Sequence, residues 1–138
     1  MNMKAKQSDL MVIAKAKELC SYVMKITDNM PKKYRYTLAT KMQNLCIGII
    51  EDLYMANETY IGKKNLSTRY PIRRNYQHTA LTKIKMLAYF AHLAIEQKAI
   101  LFKQYAQISL LTTDCQNLVG GWINSDKKRW FSQKQLSS

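Results

Sequence analysis

Between Thr59 and Ile95 every acidic or strongly basic side chain is a cation. Lys63, Lys64, Arg69, Arg73, Arg74, Lys83 and Lys85 fall in that stretch with no Asp or Glu among them. Ammonium and guanidinium groups gathered this way neutralise phosphates and release counterions. That is the chemistry of nonspecific nucleic-acid binding, not of base readout. Tyr70 and Tyr76 stand beside Arg73 and Arg74 in sequence, which adds rings on which the bases of a single strand could stack. The competing reading is a solvated helix face and loop, but such faces usually mix signs. The whole chain carries a formal +13 in 138 residues, and self-repulsion of that size opposes a compact state unless a polyanion is nearby.

Three further groups stand out. Lys32, Lys33 and Arg35 follow Pro31, where they would open a helix. Cations there oppose the helix dipole, yet with the unpaired first-turn amides they form an anion site; a tolerated local penalty is the alternative. Lys127, Lys128 and Arg129 crowd a basic, polar end segment. Gly120, Gly121 and Trp122 lie near the end of a helical pattern. Each helical glycine costs about 1 kcal/mol relative to alanine, so close packing by a neighbouring helix or subunit with Trp122 as anchor is expected there, against simple fraying.

Catalytic constellations are missing from the sequence. The nine acids are dispersed, and Glu51 and Asp52 are the one adjacent pair; adjacent residues on a helix point about 100° apart and do not form an acid–base pair. His78 and His92 lie about four helical turns apart with no Cys or carboxylate at ligand spacing. Cys20, Cys46 and Cys115 are far apart, odd in number and without a CxxC pair, which fits small buried core residues better than a disulfide framework or a zinc site. No Gly-rich phosphate loop, nucleophile elbow or HExxH is present. The expectation is no catalysis, no metal and no cofactor.

Four segments must position these groups. Apolar residues at 3- and 4-residue steps predict helices over about 8–29, 31–60, 73–97 and 101–124. Ser8 is the expected first cap. The inward stripes are Leu10, Ile13, Ala16, Cys20, Val23 and Thr27; Leu38, Met42, Leu45, Ile49, Asp52 or Leu53, and Ala56; Leu81, Ile84, Leu87 or Ala88, Ala91 and Ile95; and Tyr105, Ile108 or Ser109, Thr112, Cys115, Val119 and Trp122 or Ile123. Gly62, Asn65, Ser67 and Pro71 predict a loop over 61–71, and Lys98 and Ala99 a short turn. The architecture expected is an all-α, up-down antiparallel four-helix bundle over residues 1–124, followed by a basic, flexible tail over 125–138. Leu19 and Ile26 lie off the first stripe, and Ile47, Ile50 and Tyr54 off the second; burying them calls for an oligomer. No apolar run approaches the roughly 18 residues that span a bilayer, and no signal-peptide core opens the chain, so a cytoplasmic protein with no membrane partner is expected.

Two stretches together resemble a known family. Met30-Pro31-Lys32-Lys33-Tyr34-Arg35-Tyr36-Thr37-Leu38 opens the second helix. Lys103-Gln104-Tyr105-Ala106-Gln107 precedes Leu118-Val119-Gly120-Gly121-Trp122-Ile123 in the fourth. They are similar to the accessory variability determinant proteins of diversity-generating retroelements, within the wider four-helix-bundle family of proteins encoded in ribosomal RNA intervening sequences. The resemblance spans about Leu10 to Ile123. That wider branch usually carries a Ser-Ile-Pro-x-Asn-Ile-Ala-Glu-type run in the second helix. Asn44-Leu45-Cys46-Ile47-Gly48-Ile49-Ile50-Glu51 stands in its place, which favours the retroelement branch. The resemblance implies a homopentamer with a basic surface that binds RNA or DNA and a reverse transcriptase, and that is needed for mutagenic copying of template RNA. It carries no role onto Arg69–Tyr76 or onto Trp130-Phe131, where this chain departs from the family. The rival reading is a protein-interaction scaffold of the intervening-sequence type with an acidic or ribosomal partner.

Overall fold

The computed structural model describes residues 3–136, with side-chain surroundings for 11–135. Its helices are α1 (Met3–Asp28), α2 (Thr40–Glu58), α3 (Leu66–Glu96) and α4 (Phe102–Leu136), and no strand occurs among the described residues. Each helix packs against its two chain neighbours, and α1 closes the ring against α4. This is the four-helix bundle that the stripes predict. α1 ends and α4 begins at one end, here the apex. The α2–α3 loop, the start of α3 and the end of α4 share the other end, the base.

The stripes carry the core. Ile13, Ala16 and Val23 on α1, Met42, Leu45, Ile49, Leu53 and Ala56 on α2, Ile84, Leu87 and Ala91 on α3, and Ile108, Cys115, Val119 and Trp122 on α4 are buried in one cluster. The side chain of Leu10 lies outside those described. Leu19 and Ile26, expected to await an oligomer, are buried within the chain itself. α1 touches two helices, so its apolar arc is wider than a single stripe. Ile47 and Tyr54 do remain exposed.

Three boundaries differ from expectation. Ser8 does not cap α1, because the helix begins at Met3. α2 does not wind regularly from Pro31. A tight 3-10 turn at Lys32–Tyr34 is followed by a wide π turn at Arg35–Ala39, in which Thr40 donates its amide to the Arg35 carbonyl. The Tyr34 hydroxyl donates to the Gln97 carbonyl at 3.0 Å, so the chain enters α2 already tied to the end of α3. α3 begins at Leu66, well inside the expected loop, with Pro71 in its interior. Proline there removes its own N–H bond and crowds the carbonyl four residues back. The turn around it is held by burial of Leu66, Tyr70 and Arg73.

The turn between α3 and α4 is short, as expected. Lys98 takes the left-handed conformation (φ 58°). Ala99 donates to the Ala94 carbonyl at 2.8 Å and Lys98 to that of Ile95 at 3.0 Å, a complete Schellman motif with lysine where glycine is usual. Gln104 then accepts from the Leu101 amide at 2.9 Å and caps the start of α4.

Candidate nucleic-acid interface

At the base the charges sort into two kinds. Lys63 and Lys64 on the loop, Arg69 and Arg74 on α3, and Lys127 and Lys128 on α4 are exposed. Arg73 is not. It is 5% exposed, and Asp126 opposite it is 2% exposed. Arg73 Nε donates to Asp126 Oδ2 at 2.6 Å and its Nη2 to Oδ1 at 3.2 Å. Gln77 adds an amide bond to Oδ2 at 2.8 Å. The guanidinium lies 4.9 Å from the centre of the Trp122 ring and reaches the Thr59 carbonyl at 3.5 Å. Arg73 is therefore corrected from phosphate ligand to internal clamp: it fastens α3, α4 and the end of α2 where a lone buried carboxylate needs a bidentate partner.

Trp122 changes role for the same reason. It is buried in its own chain under Arg73, and so anchors the bundle's interior. A side chain at Gly120 or Gly121 would meet nothing within 4 Å, so these two open onto free surface and no helix of the same chain packs on them.

The expected flexible tail is helical through Leu136. Trp130 stacks on Tyr70 with ring centres 4.8 Å apart and planes 9° from parallel, and Arg129 donates to the Ile61 carbonyl at 3.1 Å. Residues 125–136 thus continue the bundle and dock on the α2–α3 loop. Tyr70 is buried, with Trp130 on its ring and Arg74 5.4 Å from its centre. The Tyr70 ring therefore does not offer the open stacking face expected of it. Tyr76 is half-buried against the core.

Elsewhere Lys32, Lys33 and Arg35 are exposed at the apex, beside an exposed Tyr36, and Lys33 sits 5.1 Å from the Tyr34 ring centre. Lys85 is exposed on α3. Lys83 is half-buried, its Nζ 2.8 Å from Asp52 Oδ2. That contact is an ion pair without hydrogen-bond geometry, since Oδ2 accepts no hydrogen bond. Gly48 leaves room for it: an added side-chain carbon there would come within 3.0 Å of Lys83 Nζ. The structure therefore separates the predicted cations into an exposed set at the base, an exposed set at the apex, Lys85, and three engaged residues, Arg73, Lys83 and Arg129.

Cys46 and Cys115 are buried core residues, and Cys20 is half-buried against the core. Burial pushes the Cys115 thiol up to about 12; a hydrogen bond with Cys20 together with burial pushes Cys46 up as well. Such groups stay protonated at neutral pH and are poor nucleophiles and poor metal ligands. No cluster of His, Cys, Asp or Glu able to hold a metal occurs among the described residues. No helix among them is long and apolar enough to cross a membrane.

A bundle of this form with a basic base defines a class of compact helical protein, and comparison places it more closely. The model of the bAvd-like family matches residues 10–126, so the chain belongs to the bAvd-like family. A solved structure of a protein of unknown function from the S23 ribosomal protein family of Bacteroides thetaiotaomicron VPI-5482 is similar in fold. Its TM-score is 0.71 at 16% identity, covering 85% of this chain and 98% of that one. No curated protein matches the chain.

Proposed function

We propose that this protein is a non-catalytic, nucleic-acid-binding accessory factor that assists a retroelement reverse transcriptase in mutagenic copying of template RNA. Membership of the bAvd-like family supports the retroelement setting. The observation that carries nucleic-acid binding is the base of the bundle. Lys63, Lys64, Arg69, Arg74, Lys127 and Lys128 are exposed there, while Asp126 is buried and held by Arg73; Glu58 stands exposed at the end of α2. Phosphates meet that surface without competition from the Asp126 carboxylate. Holding RNA on one patch and the polymerase on another raises their effective concentration with no chemistry by this chain. The protein would act in the cytoplasm as a homo-oligomer, a pentamer by family resemblance. Exposed Ile47 and Tyr54 on α2 and Leu110 on α4 supply apolar surface for subunit contacts. The likeness to an S23-family fold keeps one alternative in view, an interaction scaffold for an acidic or ribosomal protein.

Titration of labelled structured RNA and of duplex DNA across a salt series tests the reading. Tight binding with a slope of about −0.9 in log K against log salt per phosphate engaged on the duplex is expected. No binding at low salt would favour the scaffold. Light scattering should give an oligomer mass at micromolar concentration, and a monomer mass would contradict the assembly.

A further inference from the structure

Past residue 126, where the family match ends, α4 runs on to Leu136 and builds one wall of a cleft against the α2–α3 loop. The cleft has a volume of about 340 Å³ and is lined by Lys63, Leu66, Ser67, Trp130, Gln133 and Lys134. That is at the small end of the range for ligand sites. We propose that it takes a single nucleotide of an unpaired strand, with the base against Trp130 and the flanking phosphate near Lys63 and Lys134. The inference rests on the nucleic-acid reading above and deepens it from charge to a particular pocket.

Four observations carry it. The indole is held in place from behind, because Tyr70 stacks on it; the Lys134 ammonium lies 5.7 Å from the ring centre, and a base that enters displaces this flexible side chain toward its own phosphate. The facing loop is held too: Arg129 bonds the Ile61 carbonyl at 3.1 Å, and Asn65 Oδ1 accepts from the Gly62 amide at 2.8 Å. Both walls are therefore set before a ligand arrives, which lowers the ordering cost of binding. The lining combines an aromatic ring and Leu66 with two cations and two hydrogen-bonding side chains, and contains no acid. A base, its ribose and its phosphate ask for that mixture. Two other clefts lack it. One of about 270 Å³ beside Lys98 and Leu101 contains no ring. One of about 240 Å³ beside Arg35 contains no ring and includes Asp28. Bases inside a duplex are stacked on their neighbours and have no free face to offer an indole, so the cleft selects single strands over duplex.

The test uses the full chain, a labelled oligo-adenylate and a blunt RNA duplex. Trp130→Leu should weaken the single strand about ten-fold and leave the duplex within about two-fold. Lys63→Gln, which also removes a charge from the shared basic surface, should weaken the single strand about ten-fold and the duplex by less. Lys63 is an exposed loop residue, so that variant keeps the test clear of any folding loss at Trp130. Adenosine monophosphate should quench tryptophan fluorescence in the wild type and not in Trp130→Leu. Unchanged single-strand affinity in both variants, with native circular dichroism, overturns the cleft while leaving the proposed function standing. Displacement of the strand by poly-glutamate but not by adenosine monophosphate also overturns it, because charge alone would then suffice. Failure of the wild type to bind either RNA at low salt overturns the cleft and the proposed function together.

Discussion

The two ends of the bundle are both basic, yet they are held together by different means. At the apex the chain is closed by backbone turns: the Schellman motif at Lys98, the Gln104 cap, and one hydroxyl bond from Tyr34 to Gln97. Lys32, Lys33 and Arg35 stand outside that closure, exposed. At the base, cations take part in the closure itself. Arg73 is consumed by Asp126 and Arg129 fastens a carbonyl of the loop, while Arg74 and Lys134 stay exposed beside the Tyr70 and Trp130 rings. Positive charge in one stretch of sequence therefore divides into charge that holds the fold and charge that meets solvent.

Breaking the base should cost far more than altering the apex. Asp126→Ala leaves the Arg73 guanidinium buried without its carboxylate, and loss of about 3–5 kcal/mol of stability is expected in denaturant titration. A loss below about 1 kcal/mol would show that the clamp is not what closes this end. Trp130→Ala removes the stack on Tyr70 and uncovers the loop. A loss of about 2 kcal/mol is expected, since aromatic pairs contribute about 0.5–1.5 kcal/mol beyond their burial; hydrogen exchange should then rise at Ile61 and Leu66 and not at Tyr34. The apex offers a gain instead. Lys98→Gly relieves the left-handed lysine and should raise stability by up to about 1 kcal/mol, read as a higher melting temperature. Midway between the ends, iodoacetamide at about pH 8 should leave Cys46 and Cys115 unmodified in the folded protein. Their raised pKa values keep the thiol form below the folded pKa, and rapid labelling of either would contradict their burial.

Helix number, order and core were legible in the sequence because they follow from a repeat of 3.6 residues that each helix carries alone. The basic base was legible only in part. Arg73 looked like its exposed neighbours Arg69 and Arg74, because its acid lies 53 positions away and no local pattern pairs them. The signal was present in α4: Cys115, Val119, Trp122, Asp126 and Trp130 continue one stripe at 3- and 4-residue steps. An acid on that stripe, followed by an aromatic, marks an inward face that goes on past residue 124. Pro71 and Gly62 hid the start of α3 in a similar way, since breakers argue for a loop while Leu66, Tyr70 and Arg73 are drawn inward by contacts distant in sequence. The π turn at Arg35–Ala39 has no sequence signal at all that we recognise. The open surface at Gly120 and Gly121 likewise depends on what lies opposite, and residue type alone does not specify that.

The most direct test of the account sets the two ends against each other in one binding experiment. Lys64, Arg69 and Arg74 are reversed to Glu in one variant, Lys32, Lys33 and Arg35 in a second, and structured RNA is titrated across a salt series with helical circular dichroism as the folding control. The base variant should lose about a hundred-fold in affinity at about 0.1 M salt, and its log K against log salt slope should become shallower by about 2 to 3, with a smaller change in the apex variant. Unaltered affinity and slope in a folded base variant would contradict the assignment of the base as the nucleic-acid surface.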